Sequence, residues 1–299
     1  MIFGKGPGRG GTRVPHCDGS FEMTATGRWH LDRSFGFEDQ ELRYAIFGEG
    51  PPIVLVHGTP FSSYVWRRIA SVLAQDRQVY VYDLLGYGQS EKRAGQDVSL
   101  GIQNRALAGL FAHWGLEKPD VVAHDFGGAT ALRAHFLNGC RYRSLTLIDP
   151  VALAPWGSPF VRHVRKHERA FAGLPAYIQP AVVRAYIRGA VFRELSDSEL
   201  EPYVAPWLGE TGQPAFYRQI AQMDQRYTDE VEDRYRTLTL PTLILWGEKD
   251  AWIPVEQGER LAALIPNAHL MRIPEAGHLV QEDAPEALIA ALLRFLPMA

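Results

Sequence analysis

The sequence predicts an α/β protein built on a mostly parallel, eight-stranded sheet with helices on both faces. Three observations carry that expectation. Short apolar runs bounded by turn residues alternate with stretches of helical period. The alternation is interrupted once by a long, purely helical interval. A chain of 299 residues can also bury a core without disulfide or metal staples.

Residues 1–27 are Gly- and Arg-rich (Gly4-Lys5-Gly6-Pro7-Gly8-Arg9-Gly10-Gly11) and lack the apolar stretch of a secretory signal, so a flexible tail is expected. Residues 28–37 and 41–47 suggest an antiparallel pair. Short buried strands follow at 53–56, 78–82, 121–124, 144–148, 242–246 and 269–273. Between them, Val65, Ile69, Val72 and Leu73 share one helical face, as do Leu107, Leu110, Phe111 and Trp114. From 152 to 236 the strand signal stops and helices take over, with a capping-box pattern at Ser196-Asp197-Ser198-Glu199. The expected organisation is therefore a core of 28–151 and 237–299, with a helical lid inserted after the sixth strand.

Composition narrows the function classes. Lys plus Arg number 31 against 34 Asp plus Glu, a net charge of −3, which gives no basic field for nucleic acid or an anionic membrane. Two cysteines, Cys17 and Cys140, make neither a disulfide framework nor a metal cluster. No apolar run reaches membrane-spanning length. A cytoplasmic protein is the expectation. The glycines of Leu85-Gly86-Tyr87-Gly88 do not complete a dinucleotide-binding fingerprint.

Chemistry concentrates in four segments. Val121-Val122-Ala123-His124-Asp125-Phe126-Gly127-Gly128 reads as a strand, a tight turn and a small-residue helix, the context of a nucleophile elbow with aspartate where serine is usual. A carboxylate attacking an ester would give only an anhydride. It can instead displace a leaving group from saturated carbon and remain as an ester, which points to epoxides or carbon–halogen bonds. Alone, Asp125 would read as a turn or helix-capping residue. Its company reverses that: His57-Gly58-Thr59-Pro60 after a buried strand, Gly247-Glu248-Lys249-Asp250 ending another, and His278 in the loop Pro274-Glu275-Ala276-Gly277-His278. The order nucleophile, acid, histidine is that of an α/β-hydrolase triad.

On these motifs the chain resembles the α/β-hydrolase superfamily over about residues 29–297, and within it the aspartate-nucleophile branch of epoxide hydrolases and haloalkane or haloacetate dehalogenases. Asp83-Leu84-Leu85-Gly86-Tyr87-Gly88-Gln89-Ser90 and Ser62-Ser63-Tyr64-Val65-Trp66-Arg67 add to the likeness. The resemblance implies Asp125 as nucleophile, His278 as general base, Asp250 as its orienting acid with Asp149 as alternative, and the backbone N–H groups of Thr59 and Phe126 as oxyanion hole. It implies no cofactor and no metal; the partners would be water and a small hydrophobic substrate. The side-chain halide donors that dehalogenases carry after the nucleophile and after the His-Gly pair are replaced here by Phe126 and Thr59, and the arginine of the haloacetate branch is missing. An epoxide hydrolase giving vicinal diols is therefore the preferred expectation, with haloalkane or haloacid dehalogenation as the alternative and a noncatalytic ligand-binding homologue third. Tyr217, in Phe216-Tyr217-Arg218, is the expected lid proton donor. His57, Trp156, Tyr186 and Trp207 are expected to line the substrate pocket, Tyr186 as a possible second acid and the tryptophans as possible halide donors.

Overall fold

The computed structural model describes residues 29–297; the expected tail and Cys17 lie outside the described residues. Eight strands, β1 (Arg33–Phe37), β2 (Gln40–Phe47), β3 (Pro52–Val56), β4 (Gln78–Tyr82), β5 (Asp120–His124), β6 (Leu145–Ile148), β7 (Thr242–Gly247) and β8 (Ala268–Ile273), make one open sheet in the order β1-β2-β4-β3-β5-β6-β7-β8. The β1–β2 and β2–β4 pairings are antiparallel and all others parallel. Every residue of β5, β6 and β7 is buried, which is why these strands read as mostly apolar runs rather than as alternating ones. The edge strand β8 alternates and is partly exposed.

Helices cover both faces. α1 (Arg67–Leu73), α2 (Leu100–Trp114) and α3 (Phe126–Asn138) precede the helical interval, whose members are α4 (Pro159–Ala172), α5 (Gln179–Arg188), α6 (Asp197–Val204), α7 (Gly209–Ala221) and α8 (Arg226–Glu232). After β7 come α9 (Glu256–Leu264), α10 (Val280–Asp283) and α11 (Pro285–Phe295). α2 packs on α3, α1 on α11, and α4 on α7. The capping box forms at α6: the Ser196 hydroxyl accepts from the Glu199 N–H, and the Glu199 carboxylate accepts from the Ser196 N–H at 2.9 Å. No helix among the described residues is long and apolar enough to cross a membrane.

Two buried carboxylates tie the architecture together at opposite ends of the parallel strands. Asp120, at the start of β5, accepts from Arg77 at 2.8 Å and from the Ser144 hydroxyl at 2.6 Å, and also pairs with Arg143. Glu282, on α10, meets Arg67, Arg68 and Arg193 and takes a hydrogen bond from the Tyr203 hydroxyl, so it joins core helix α1 to the lid. Burial alone would raise the Glu282 carboxyl, but the hydrogen bond and charge of Arg67 hold it below its ordinary 4.5. Removing one partner of such a buried pair leaves the other charges uncompensated. Glu282→Gln is expected to cost about 3 kcal/mol in urea melts at neutral pH. Because the folded carboxyl titrates below its unfolded value, the difference between wild type and variant should shrink as pH falls through the folded value.

Candidate active site

The turn between β5 and α3 places Asp125 at φ 51° and ψ −118°, a conformation that side chains avoid. Such strain costs about 1–3 kcal/mol and persists only where the surroundings enforce it. Here they do. The Asp125 N–H donates to the Ile148 carbonyl at 3.1 Å, and its own carbonyl accepts from Gly128 at 2.9 Å and Val151 at 3.1 Å. A Cβ on Gly127 would stand 2.4 Å from the Val56 carbonyl oxygen, and one on Gly58 would stand 2.4 Å from Asp125 Cβ and 2.5 Å from Oδ1. Glycine at both places lets the loop after β3 close against the carboxylate.

That closure delivers the Thr59 N–H to Asp125 Oδ1 at 2.7 Å. The Phe126 amide makes no hydrogen bond to the carboxylate. Asp125 Oδ2 faces His278 Nε2 at 3.2 Å, a charge contact whose angle falls short of a hydrogen bond. On the far side of the ring, His278 Nδ1 lies 2.8 Å from Asp250 Oδ2. Asp250 Oδ1 is fixed in turn by the backbone N–H groups of Trp252 at 2.7 Å and Ile253 at 2.9 Å. Asp149 stands behind this pair: its Oδ1 accepts from the Gly247 N–H at 2.9 Å, and its donor atom lies within 4.8 Å of those of Asp250 and His278. It is Asp250 that touches the histidine. Burial and then the Asp250 charge push the Asp149 carboxyl well above its ordinary value, which favours its neutral form.

Burial lowers the His278 pKa, but the Asp250 charge and the contacts with Asp125 and Asp250 outweigh it and hold the ring well above 6.5. These contacts favour the imidazolium form of the ring, which has one carboxyl group on each side. Two further histidines stay neutral. His124 stacks on His278 with centroids 4.9 Å apart and donates from Nε2 to the His278 carbonyl at 2.8 Å. Burial and then the neighbouring imidazolium bring it to about 4. His57 donates to the Gly58 carbonyl at 2.9 Å and accepts from the Leu84 N–H at 2.9 Å, with burial depressing its pKa.

A cavity of about 40 Å³ opens on Asp125. Thr59, Asp125 and Phe126 form part of its wall, and the rest is mainly apolar, with Trp156, Tyr186, Met223 and Trp252 among its larger side chains and Ser158 as a further hydroxyl. No Lys, Arg or His lines it. Tyr186 stacks on Trp252 at 4.6 Å, Trp252 lies 4.9 Å from the His278 ring, and the Tyr186 hydroxyl has no hydrogen-bond partner among the described residues. Burial and then the Asp125 charge raise this phenol, so it is protonated. Trp156 lines the cavity, but its indole N–H is committed to Thr228 Oγ1 at 2.9 Å.

Three expected positions need correction. Tyr217 does not line the cavity; it is buried, donates to Gln179 Oε1 at 2.7 Å, and burial pushes it up to about 12. Trp207 donates to the Pro60 carbonyl at 2.8 Å and packs edge-on against Tyr87, outside the cavity lining. His57 is also outside, because both its nitrogens fasten the loops after β3 and β4. The sequence reading missed Trp252 and His124. Each sits within two positions of an identified acid, the one signal that could have found them.

The alpha/beta hydrolase family matches residues 53–291, and the chain belongs to it. Haloalkane dehalogenase 2 of Mycobacterium tuberculosis is 28% identical over 284 residues, covering 89% of this chain and 93% of that protein. The crystal structure of an alpha/beta hydrolase fold protein from Burkholderia ambifaria aligns with a TM-score of 0.87 at 58% identity, over 89% of this chain and 98% of that one. The epoxide hydrolase CorEH aligns at 0.71 with 22% identity, over 88% of this chain and 97% of that one, a likeness of fold alone.

The charge assignment is open to direct measurement. In ¹⁵N spectra of histidine-labelled protein, the His278 ring is expected to remain an imidazolium above pH 7, while His124 and His57 stay neutral down to pH values below the ordinary 6.5. A His278 that loses its proton below 6.5 would contradict the ion pair.

Proposed function

We propose that this hydrolase uses Asp125 as a covalent nucleophile to open small apolar epoxides to vicinal diols. The observation that carries the reading is the pairing of an aimed carboxylate with an unpartnered phenol. Asp125 is held by the Thr59 amide and faces the cavity that Tyr186 also lines. Asp125 Oδ2 attacks a ring carbon, the C–O bond breaks, and its electron pair goes to oxygen, which takes the Tyr186 proton. The phenolate is then reprotonated by the His278 imidazolium. That transfer balances charge: a carboxylate and an imidazolium become a neutral ester and a neutral imidazole. Alkylation also removes the negative charge opposite His278 Nε2, one of the causes that hold its proton, so the base is generated when the ester needs it.

Water then attacks the ester carbonyl while His278 accepts its proton and Asp250 stabilises the imidazolium; the tetrahedral carbon expels the diol oxygen, which takes the proton left on the added hydroxyl, so Asp125 returns as a carboxylate opposite the imidazolium. The Thr59 N–H already sits on the oxygen that becomes the oxyanion, with the Phe126 amide as the second donor once the carbonyl carbon turns tetrahedral. The absence of a cation from the cavity lining gives a substrate carboxylate no partner, which disfavours haloacids. Haloalkane dehalogenation is supported by the relative described above. A ligand-binding role without turnover would leave the assembled acid, base and nucleophile unused.

Two variants separate the steps. His278→Gln is expected to accumulate the ester, visible by intact mass as the added mass of substrate on Asp125. Tyr186→Phe is expected to slow ester formation from epoxides by about 10- to 1000-fold in single-turnover measurements, whereas Tyr217→Phe leaves it unchanged. A parallel assay of terminal epoxides and 1-bromo- and 1-chloroalkanes decides the leaving group: halide release without diol formation would replace the epoxide reading with the dehalogenase one.

A further inference from the structure

The lid carries a second concavity, away from the cavity at Asp125. His163, His167, Ala170, Phe171 and Leu174 line an open groove of about 390 Å³ along α4. It shares no lining residue with the cavity, and Phe160 links the two, its ring 5.8 Å from Phe171 and 5.1 Å from Tyr186. The lining residues recur every three or four positions, so they make one stripe, beside the face that Val161 and Val164 bury. At His167 the backbone leaves helical geometry, with φ −132° and ψ 32°, and the helix kinks at the middle of the stripe. The His163 ring meets His167 at 4.9 Å and Phe171 at 5.5 Å, both edge-on. The floor is fixed from below: Phe171 packs on the Tyr217 ring at 5.5 Å, and the Gln213 amide donates to the Ala172 and Leu174 carbonyls at 3.1 Å and 2.6 Å.

The net charge of −3 conceals a local excess of cations here. α4 carries Arg162, Arg165, Lys166 and Arg169 against one carboxylate, Glu168. Arg165 pairs with Asp224 at 3.4 Å. Arg162, Lys166 and Arg169 are exposed and meet no carboxylate among the described residues; by helical period they form a row along the solvent side of the stripe. No Asp or Glu lines the groove. An apolar floor beside unpaired cations matches a ligand with an alkyl chain and an anionic head. The stripe from His163 to Phe171 is about 12 Å long, the reach of an extended chain of about ten carbons. A membrane surface fits less well. Insertion needs apolar side chains standing out from the helix, whereas Val161 and Val164 are buried and Phe171 and Leu174 half-buried.

We infer that this groove is a binding site for a free, single-chain alkyl carboxylate, with the chain along His163, His167, Phe171 and Leu174 and the head over Lys166 and Arg169. The site goes beyond the Asp125 reading and does not depend on it. No bond is made or broken in the groove; apolar contact holds the chain, and the cations select the head.

The test uses the whole chain. Decanoate, octanoate, decanol and decyltrimethylammonium, all as monomers, are titrated by calorimetry, and ¹⁵N spectra of histidine-labelled protein locate the ligand. One decanoate is expected per chain, bound about tenfold more tightly than octanoate, with the His163 and His167 ring resonances moving and that of His278 unmoved. Decyltrimethylammonium is expected to leave the two groove histidines unshifted. Lys166→Gln combined with Arg169→Gln removes two exposed charges without touching the core, and is expected to weaken decanoate about 3- to 10-fold while decanol binds as to wild type. Ala170→Trp, which fills the groove, is expected to abolish decanoate binding. Absence of saturable decanoate binding overturns the inference, as do shifts confined to His278, which would put the chain in the cavity at Asp125, and a double variant that binds decanoate as wild type does. Co-sedimentation with phosphatidylglycerol vesicles, with no response to monomeric decanoate, overturns it as well and gives this face to a membrane. Neither epoxide nor haloalkane enters the test, so failure of the proposed reaction leaves its outcome unaffected.

Discussion

The buried charge balance around His278 is the constraint on which the rest of the site depends. Two carboxylates flank one imidazole, and all three groups are withdrawn from water. Burying any of these charges alone would be prohibitive, so each is tolerable only in the company of the others. The surrounding structure serves that requirement. Thr59 satisfies one oxygen of Asp125, the backbone after Asp250 satisfies one of its oxygens, and burial beside the Asp250 charge pushes the Asp149 carboxyl well above its ordinary value. The strained turn at Asp125 and the glycines around it keep the carboxylate at the distance where this balance holds.

The lid is built into the same arrangement. The loop bearing His278 is fastened to the lid segment that follows α5: the Leu279 N–H donates to the Ala190 carbonyl at 2.8 Å, while Asp283 accepts from the Phe192, Arg193 and Gly277 N–H groups. Glu282 adds its three arginines. A chain of ring contacts, stacked between Tyr186 and Trp252 and tilted thereafter, runs on through His278 to His124, joining α5, the loops after β7 and β8, and β5. The placement of the helical segment after α5 and the orientation of His278 are therefore physically linked.

The fold was legible because the central strands are buried on both faces and must be apolar throughout, and because turns as tight as those around Gly58 and Asp125 admit few residues. The same sharp turns made Asp125, Asp250 and His278 stand out, and the structure places the two carboxyl groups on opposite nitrogens of the His278 ring, at 3.2 Å and 2.8 Å. The lid was less legible. On α7 residues 212, 213, 215, 216, 217, 219 and 220 are all buried, so hydrophobic period cannot say which face meets the nucleophile. Tyr217 and Gln219, two positions apart, point roughly 200° apart around the helix, and it is Gln219 that reaches Thr59. Between Asp149 and Asp250 the sequence offered strand-end acids on adjacent strands. Only the closure of the Gly247–Asp250 turn against the His278 loop distinguishes them, through the bond from the Lys249 N–H to the Ala276 carbonyl at 2.8 Å.

The central claim is that carbon is transferred to Asp125 before water enters. The most direct measurement is the fate of oxygen in H₂¹⁸O under a single turnover, with enzyme in excess over substrate. The account predicts unlabelled oxygen in the product alcohol and ¹⁸O in the carboxylate of the peptide that contains Asp125, because water attacks the ester carbonyl and the enzyme's own oxygen leaves with the product. Label in the product and none in Asp125 would mean that water attacks the substrate directly, and the covalent account would be wrong.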